Sequence, residues 1–373
     1  TITPGERNSF MSAMYAEGAA AYKNDDQAKA EITKLAEQSF TLDDPLYKQV
    51  YETCKVWSFE EIDQIVKRLG NEPIEKRYLE SNADALGVET VKSHVGDVFE
   101  ESDGALIFPG QKYGIFDNAF VTSQGRGLYG ARDLGLMQLK NNDYHPQKSY
   151  IVTAEEQKDY FRGVIKAAEL CLPELQDVTV NLSTGTVKLT TGKMSSRTGD
   201  VVEIGWLFDR IGEAITERGG EPSDDIVAGA LRYQFLKVKL GSDVVFDVNE
   251  AVSIHGNSGS YIQYAHARAK GILSKVNAED IDLLGVTLTS DERTLVRKLT
   301  ESSAVIEAAC RELQPHQICT YLYETAQEFN RFYEKNRVIG DEREAIRMQL
   351  VTSYVSILRD GLTVLGISTP ERM

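Results

Sequence analysis

No apolar run in this sequence reaches the ~18–20 residues that a membrane-crossing helix needs. The first residues, Thr1-Ile2-Thr3-Pro4-Gly5, lack the basic-then-apolar layout of a signal peptide. An initiator methionine is missing too, which suggests trimming or a cut from a longer chain. The four cysteines, Cys54, Cys171, Cys310 and Cys319, lie far apart and form no C-x-x-C pair. Reduced, mostly buried thiols in a cytoplasmic protein are therefore expected. His94, His145, His255, His266 and His316 show no metal-ligand spacing such as H-x-x-x-H, so no protein-bound metal is expected. A surplus of positive charge is also absent. The net charge of −16 argues against a protein that coats nucleic acid non-specifically. The deficit is uneven: residues 260–373 carry 14 Lys and Arg against 16 Asp and Glu, which leaves 27 against 41 for the rest. The C-terminal part is the better docking surface for an anion.

What is present is an ordinary globular composition. The 373 residues are 42% hydrophobic, 26% charged and 9% aromatic, enough for two or three domains. Residues 1–72 read as helical, with apolar residues at three- and four-residue steps through Phe10, Met14, Tyr15, Trp57, Ile62, Ile65, Val66 and Leu69. Gly70-Asn71-Glu72-Pro73 ends that stretch. Residues 74–190 change character: short apolar runs at Ala105 to Phe108, Phe116 to Thr122 and Ser149 to Ala154 alternate with helical spacing from Tyr129 to Lys140 and from Phe161 to Leu170. This pattern predicts an α/β domain with a mostly parallel sheet. Val178 to Asn181 and Thr186 to Thr190 read as two strands of a hairpin joined by Ser183-Thr184-Gly185. From Val201 to the end nearly everything reads as helical, as in a helical bundle. One apolar stripe runs through Ile318, Tyr321, Leu322, Phe329, Phe332 and Tyr333, another through Leu350, Tyr354, Ile357, Leu358, Leu362 and Leu365.

Three segments carry chemistry. Gly192-Lys193-Met194-Ser195-Ser196-Arg197-Thr198-Gly199-Asp200 puts an ammonium, two hydroxyls and a guanidinium within five residues between glycines. Such a loop suits a polyphosphate, with Lys193 as a mobile point charge and Ser195 and Ser196 as donors. On charge alone, a solvated basic turn is the commoner explanation. Tyr129-Gly130-Ala131-Arg132-Asp133 sets Tyr129 and Asp133 four apart on one helical face. A carboxylate beside a phenol suits a guanidinium, although an ordinary helix surface has the same look. Gly256-Asn257-Ser258-Gly259-Ser260-Tyr261-Ile262-Gln263-Tyr264-Ala265-His266-Ala267-Arg268 aligns Tyr261, Tyr264 and Arg268 on one face. Two aromatics and a guanidinium suit stacking on unpaired bases, and a core-facing Tyr pair is the alternative.

These segments together resemble the arginyl-tRNA synthetases. GKMSSRTGD is similar to the Lys-Met-Ser-Lys-Ser loop of class I aminoacyl-tRNA synthetases, with Ser196 in place of the second lysine. Tyr129-x-x-Arg132-Asp133 resembles that family's arginine-binding helix, and Gln157, just past the Ser149 to Ala154 run, stands where the family has a Gln that joins the pair. The Gly256 to Arg268 segment and the tail through Phe332-Tyr333 to Pro370-Glu371-Arg372-Met373 resemble the anticodon-binding domain. The resemblance implies the second half of a Rossmann-type catalytic domain (73–255), preceded by a helical insertion (1–72) and followed by the all-α anticodon-binding bundle (256–373). It implies Lys193, Ser195 and Ser196 as catalytic residues, with Met194 and Arg197 completing the ATP loop. It further implies Tyr129, Asp133 and Gln157 at the arginine, and Tyr261, Tyr264, Arg268, Tyr333 and Met373 at the anticodon. The implied partners are L-arginine, ATP with Mg²⁺, and tRNA(Arg), with no membrane and a monomeric full-length enzyme.

A His-Ile-Gly-His-like tetrapeptide, the other ATP motif of class I synthetases, does not occur; Ile254-His255-Gly256 is an echo in the wrong segment. The family's N-terminal tRNA-elbow domain is not recognisable either. The expectation is a C-terminal portion of a longer arginine-tRNA ligase, inactive alone because half of its ATP site lies elsewhere. The alternative is a non-catalytic tRNA-binding paralogue.

Overall fold

The computed structural model describes residues 2–190, 204–275 and 285–370. The chain forms two compact units. One comprises Thr1–Glu61 and Ile74–Thr186, the other Ile62–Pro73 and Val187–Met373. This grouping cuts at Thr186/Val187, inside the segment 73–255 that the family resemblance implies as one domain.

The first unit opens with helices α1 (Arg7–Asn24), α2 (Asp26–Thr41) and α3 (Pro45–Arg68), the last turns of which belong to the second unit. The α1/α2 break is chemical: the Asp25 carboxylate accepts the N–H groups of Gln27 and Ala28 at 2.8 and 3.1 Å, capping α2. Arg7 pairs with Glu60 at 2.6 Å and lies over the Trp57 ring, tying α1 to α3.

The hydrophobic core of this unit lies further along the chain. Helix α4 (Glu80–Ser93), which the periodicity did not signal, is followed by β1 (Glu100–Ser102), β2 (Ala105–Phe108) and β3 (Asn118–Val121), an antiparallel sheet in the order β1-β2-β3. Then come α5 (Tyr129–Tyr144), β4 (Ser149–Ala154), α6 (Lys158–Cys171) and β5 (Thr179–Thr184). Phe99, Phe108 and Phe120 are buried and meet edge to face with Leu134 and Val91 around them. Helices α4 and α5 cross almost backbone to backbone. A Cβ on Gly87 would lie 1.7 Å from the Ala131 carbonyl oxygen, so only glycine fits there.

The anticipated hairpin does not form. Strand β5 runs on through Thr184 and pairs in parallel with β4, from Ser149↔Thr179 to Ala154↔Thr184. Strand β6 (Val187–Leu189) pairs in parallel with β7 (Val244–Phe246). Among the described residues there are thus two parallel pairs and one antiparallel sheet, rather than one mostly parallel sheet. Ser183-Thr184-Gly185 looks like a local turn, but the partner of each strand is remote in sequence, where a hairpin signal carries no information.

In the second unit β6 leads to α7 (Ile204–Glu217) and α8 (Asp224–Leu236), and β7 is followed by the short α9 (Val248–Ala251). Ile211, Ala230, Leu231 and Phe246 form their core. Five helices follow: α10 (Gly259–Leu273), α11 (Ser290–Thr300), α12 (Ser302–Glu312), α13 (His316–Lys335) and α14 (Glu344–Val364). The two apolar stripes read from the sequence meet here, with Leu322, Phe332, Tyr354, Leu358 and Leu362 fully buried.

Polar groups fix the bundle where it closes. Glu292 is completely buried and caps its own helix, its carboxylate accepting the Thr289 N–H at 3.0 Å. The same carboxylate takes Arg343 Nε at 2.8 Å and Arg347 Nε at 3.2 Å, both from α14 or the residue before it. Arg232 on α8 donates to the carbonyls of Leu69 (2.7 Å) and Gly366 (2.8 Å) and to Asn71, pinning the chain after α14 to the chain after α3. All four cysteines are free. Cys171 and Cys319 are buried, and burial pushes both thiols up to about 12. Cys54 is half-buried and Cys310 is exposed. No described helix is long and apolar enough to cross a membrane.

Candidate functional site

In the first unit, α5 begins at Tyr129, directly after the extended Leu128. Tyr129 is 69% exposed, and its ring meets the Arg132 guanidinium at 5.6 Å. Arg132 reaches across to α4, with Nε 3.1 Å from Asp84 and NH1 2.9 Å from Glu80, and also to the Gly127 carbonyl. Of the Tyr-x-x-Arg-Asp run, the arginine therefore braces the helix, while Tyr129 stays open to solvent.

Asp133 lies one turn further along. Its Oδ2 accepts a 2.6 Å hydrogen bond from the hydroxyl of Tyr160 on α6. Burial pushes its carboxyl above the usual range; the Tyr160 bond lowers it, nearby Glu80 raises it and Arg132 lowers it. Burial, reinforced by Asp133, raises the Tyr160 phenol strongly, so it remains a hydrogen-bond donor throughout the neutral range. A carboxylate has about four lone-pair positions. With one taken by Tyr160, enough remain for two parallel N–H donors.

Gln157 is exposed, at the end of a single 3-10 turn (Glu155–Gln157) between β4 and α6. It thus stands just beyond the carboxyl end of a parallel strand, where open α/β sheets bind ligands. Tyr160, one helical turn after Gln157, is the residue the sequence reading missed. Its only signal is a Tyr at three residues' spacing from that Gln, a pattern too common to single out. Lys193, Met194, Ser195, Ser196 and Arg197 lie outside the described residues, as does Met373.

In the second unit, much of the Gly256 to Arg268 segment serves the fold. Ser258 caps α10 by accepting the Tyr261 N–H. Gly259 packs where a Cβ would sit 2.6 Å from the Gly229 carbonyl. The Tyr233 hydroxyl lies 2.6 Å from Asn257 Oδ1. Gln263 is buried and donates to the Ser368 carbonyl at 3.0 Å. Tyr261 is half-buried, its hydroxyl accepting from Asn330 at 2.9 Å and its ring edge-on to Tyr323. Tyr264 and Arg268 are exposed. Arg268 lies 5.5 Å over the Tyr333 ring, which stacks on Phe329, which stacks in turn on Tyr354 at 3.9 Å. A continuous aromatic stack thus runs from the bundle core to a surface guanidinium. Its outer end carries a guanidinium and a positive charge where the chain's net negative charge is lightest.

Comparison with known proteins bears on both units. Residues 262–373 match the DALR anticodon binding domain. Across 97% of its length the chain is 28% identical to the arginine-tRNA ligase of Porphyromonas gingivalis, of which it spans 65%. In fold it matches the arginyl-tRNA synthetase of Plasmodium falciparum (TM-score 0.77, 19% identity, 93% of this chain and 62% of that one). It also matches the Thermus thermophilus arginyl-tRNA synthetase (TM-score 0.70, 21% identity, 93% of this chain and 70% of that one). An α/β part followed by a helical bundle is the architecture expected from the sequence, and over nearly its whole length the chain is similar to arginyl-tRNA synthetases, of which it spans about two thirds or less.

Proposed function

We propose that this chain carries the arginine-selecting and tRNA-reading parts of a cytoplasmic arginine-tRNA ligase. The observation that carries the reading is Asp133, a half-buried carboxylate held by Tyr160 beside the exposed Tyr129. That is an acceptor suited to a planar fork of N–H donors. In this reading residues 1–72 are an insertion of the catalytic domain, 73–255 its second half and 256–373 the anticodon-binding domain.

The reaction has two steps. The arginine carboxylate attacks the α-phosphate of ATP, forming arginyl-adenylate and releasing pyrophosphate. A ribose hydroxyl of the terminal adenosine of tRNA then attacks the activated carbonyl, forming the ester and releasing AMP. Asp133 and Tyr129 hold the guanidinium, with Gln157 adding a polar contact. Lys193 stabilises the charge gathering on the departing pyrophosphate. Met194, Ser195, Ser196 and Arg197 act with Lys193 on ATP, which Mg²⁺ accompanies as part of the substrate. Tyr264, Arg268 and Tyr333 stack on anticodon bases, with Tyr261 behind them and Met373 at the chain end.

Arginine-dependent pyrophosphate exchange by the 373-residue chain, with and without tRNA(Arg), tests this reading. The expected result is tRNA binding without exchange, because only one of the two class I ATP motifs is in the sequence. Exchange by the chain alone would mean that these residues hold a complete ATP site. A chain that binds neither arginine nor tRNA(Arg) would overturn the reading.

A further inference from the structure

Tyr160 and Asp133 sit on different helices, and one hydrogen bond joins them. The Tyr160 ring is itself anchored. It packs against the core of the first unit and meets Phe161, 6% exposed, edge to face at 5.0 Å. The hydroxyl therefore does not follow the carboxylate; the carboxylate is held to the hydroxyl. Tyr129 has no such anchoring: its ring is largely in solvent and touches Arg132. The two tyrosines flanking Asp133 thus differ in kind, one free to meet a ligand and one built into the fold.

From this geometry we infer that Tyr160 is a positioning residue that fixes the plane of the Asp133 carboxylate and so sets a preference for guanidinium over ammonium ligands. The inference rests on the arginine-site reading above. A guanidinium presents two N–H bonds in one plane and gains fully only when both carboxylate oxygens lie in that plane. An ammonium is a compact point charge with rotatable donors and pairs with a carboxylate in any orientation. Freezing the carboxylate therefore favours arginine and leaves lysine nearly unaffected. The bond also acts on charge. The groups acting on Asp133 are Tyr160 from α6, Glu80 from α4 and Arg132 from its own helix, while Tyr129 acts on Tyr160. Without the Tyr160 donor, burial and Glu80 are opposed by Arg132 alone. The carboxyl then takes up its proton at higher pH, and the charge that arginine needs is lost sooner as pH falls.

The test is an NMR titration of the full 373-residue chain with L-arginine and with L-lysine, repeated from neutral pH downward, for the parent, Tyr160→Phe and Asp133→Asn. Tyr160→Phe keeps the anchored ring and removes only the donor. It should weaken arginine roughly tenfold, the scale of one hydrogen bond to a charged group. Lysine should be nearly unchanged, and the pH midpoint of arginine binding should move upward. If Tyr160→Phe keeps the parent's arginine-to-lysine ratio and pH midpoint, the inference is wrong, including the case where both ligands weaken alike. Asp133→Asn retaining arginine, or a parent chain that binds none, would instead overturn the arginine-site reading and this inference with it.

Discussion

Asp133→Asn is expected to abolish arginine binding while leaving the fold at least as stable. The two halves of this expectation have separate causes. The carboxylate offers a guanidinium two charge-assisted bonds, each on the order of 1.5–3 kcal/mol, so losing the charge should weaken arginine by at least about a hundredfold. Asparagine can still accept the Tyr160 hydroxyl with its side-chain oxygen, so the α5/α6 contact survives. Stability follows from the sign of the shift. Burial holds the Asp133 carboxyl above its usual range. Its favourable contribution is therefore present at low pH, below the unfolded value, and is lost as pH rises through the folded one. At neutral pH the folded chain carries a disfavoured charge, and the amide removes it. Thermal melts at neutral pH should show an unchanged or raised midpoint for Asp133→Asn. A large drop would mean that Asp133 is structural.

Glu292→Gln should have the opposite profile, a severe loss of stability in the C-terminal bundle. Glutamine preserves the helix cap, since its amide oxygen still accepts the Thr289 N–H. It does not preserve the charge, and Arg347, 8% exposed, would keep Asp341 alone as an ionic partner among the described residues. Removing one member of a buried ion pair costs about 3–5 kcal/mol. For a unit of this size that corresponds to a melting shift of roughly 6–20 °C. The pH dependence differs as well. The Arg343 bond, with those from Thr289 and Arg347, outweighs burial and holds the Glu292 carboxyl at about 2, against an ordinary 4.5. Its contribution is present above the ordinary value and is lost as pH falls towards about 2. The parent should lose bundle stability through that acid window and Glu292→Gln much less of it, a difference that circular dichroism melts in acid would register.

The parts of this architecture legible in sequence were those with a local signal. The strand from Ser149 to Ala154 has the bounds read from its apolar run. The stripes through Ile318 to Phe332 and Leu350 to Leu365 enter one core, because helical period and burial coincide there. What depends on remote partners was not legible. Helix α4 escaped notice because its face against α5 is made by Ala83 and Gly87, whose value is close backbone approach rather than apolar bulk. The Ser183-Thr184-Gly185 hairpin was misread because each strand pairs outside the local segment. The candidate site shows the same division. Tyr129 and Asp133 are singled out by their resemblance to the Tyr-x-x-Arg-Asp helix of the arginyl-tRNA synthetases, since their spacing alone fits an ordinary helix surface, whereas Tyr160 acquires meaning only when α6 folds back against α5. In the Gly256 to Arg268 segment the spacing marks Tyr261, Tyr264 and Arg268 as one face, but carries no sign that Ser258, Gly259 and Gln263 serve helix capping and packing. Only Tyr264 and Arg268 of that face are exposed; Tyr261 is tied to Asn330.

The measurement closest to the central claim compares L-arginine with L-citrulline in binding to this chain. Citrulline keeps the length and planar end of arginine but is neutral. If the Asp133 carboxylate receives a guanidinium, arginine should bind saturably and citrulline at least about a hundredfold more weakly. Equal binding of the two would contradict the account.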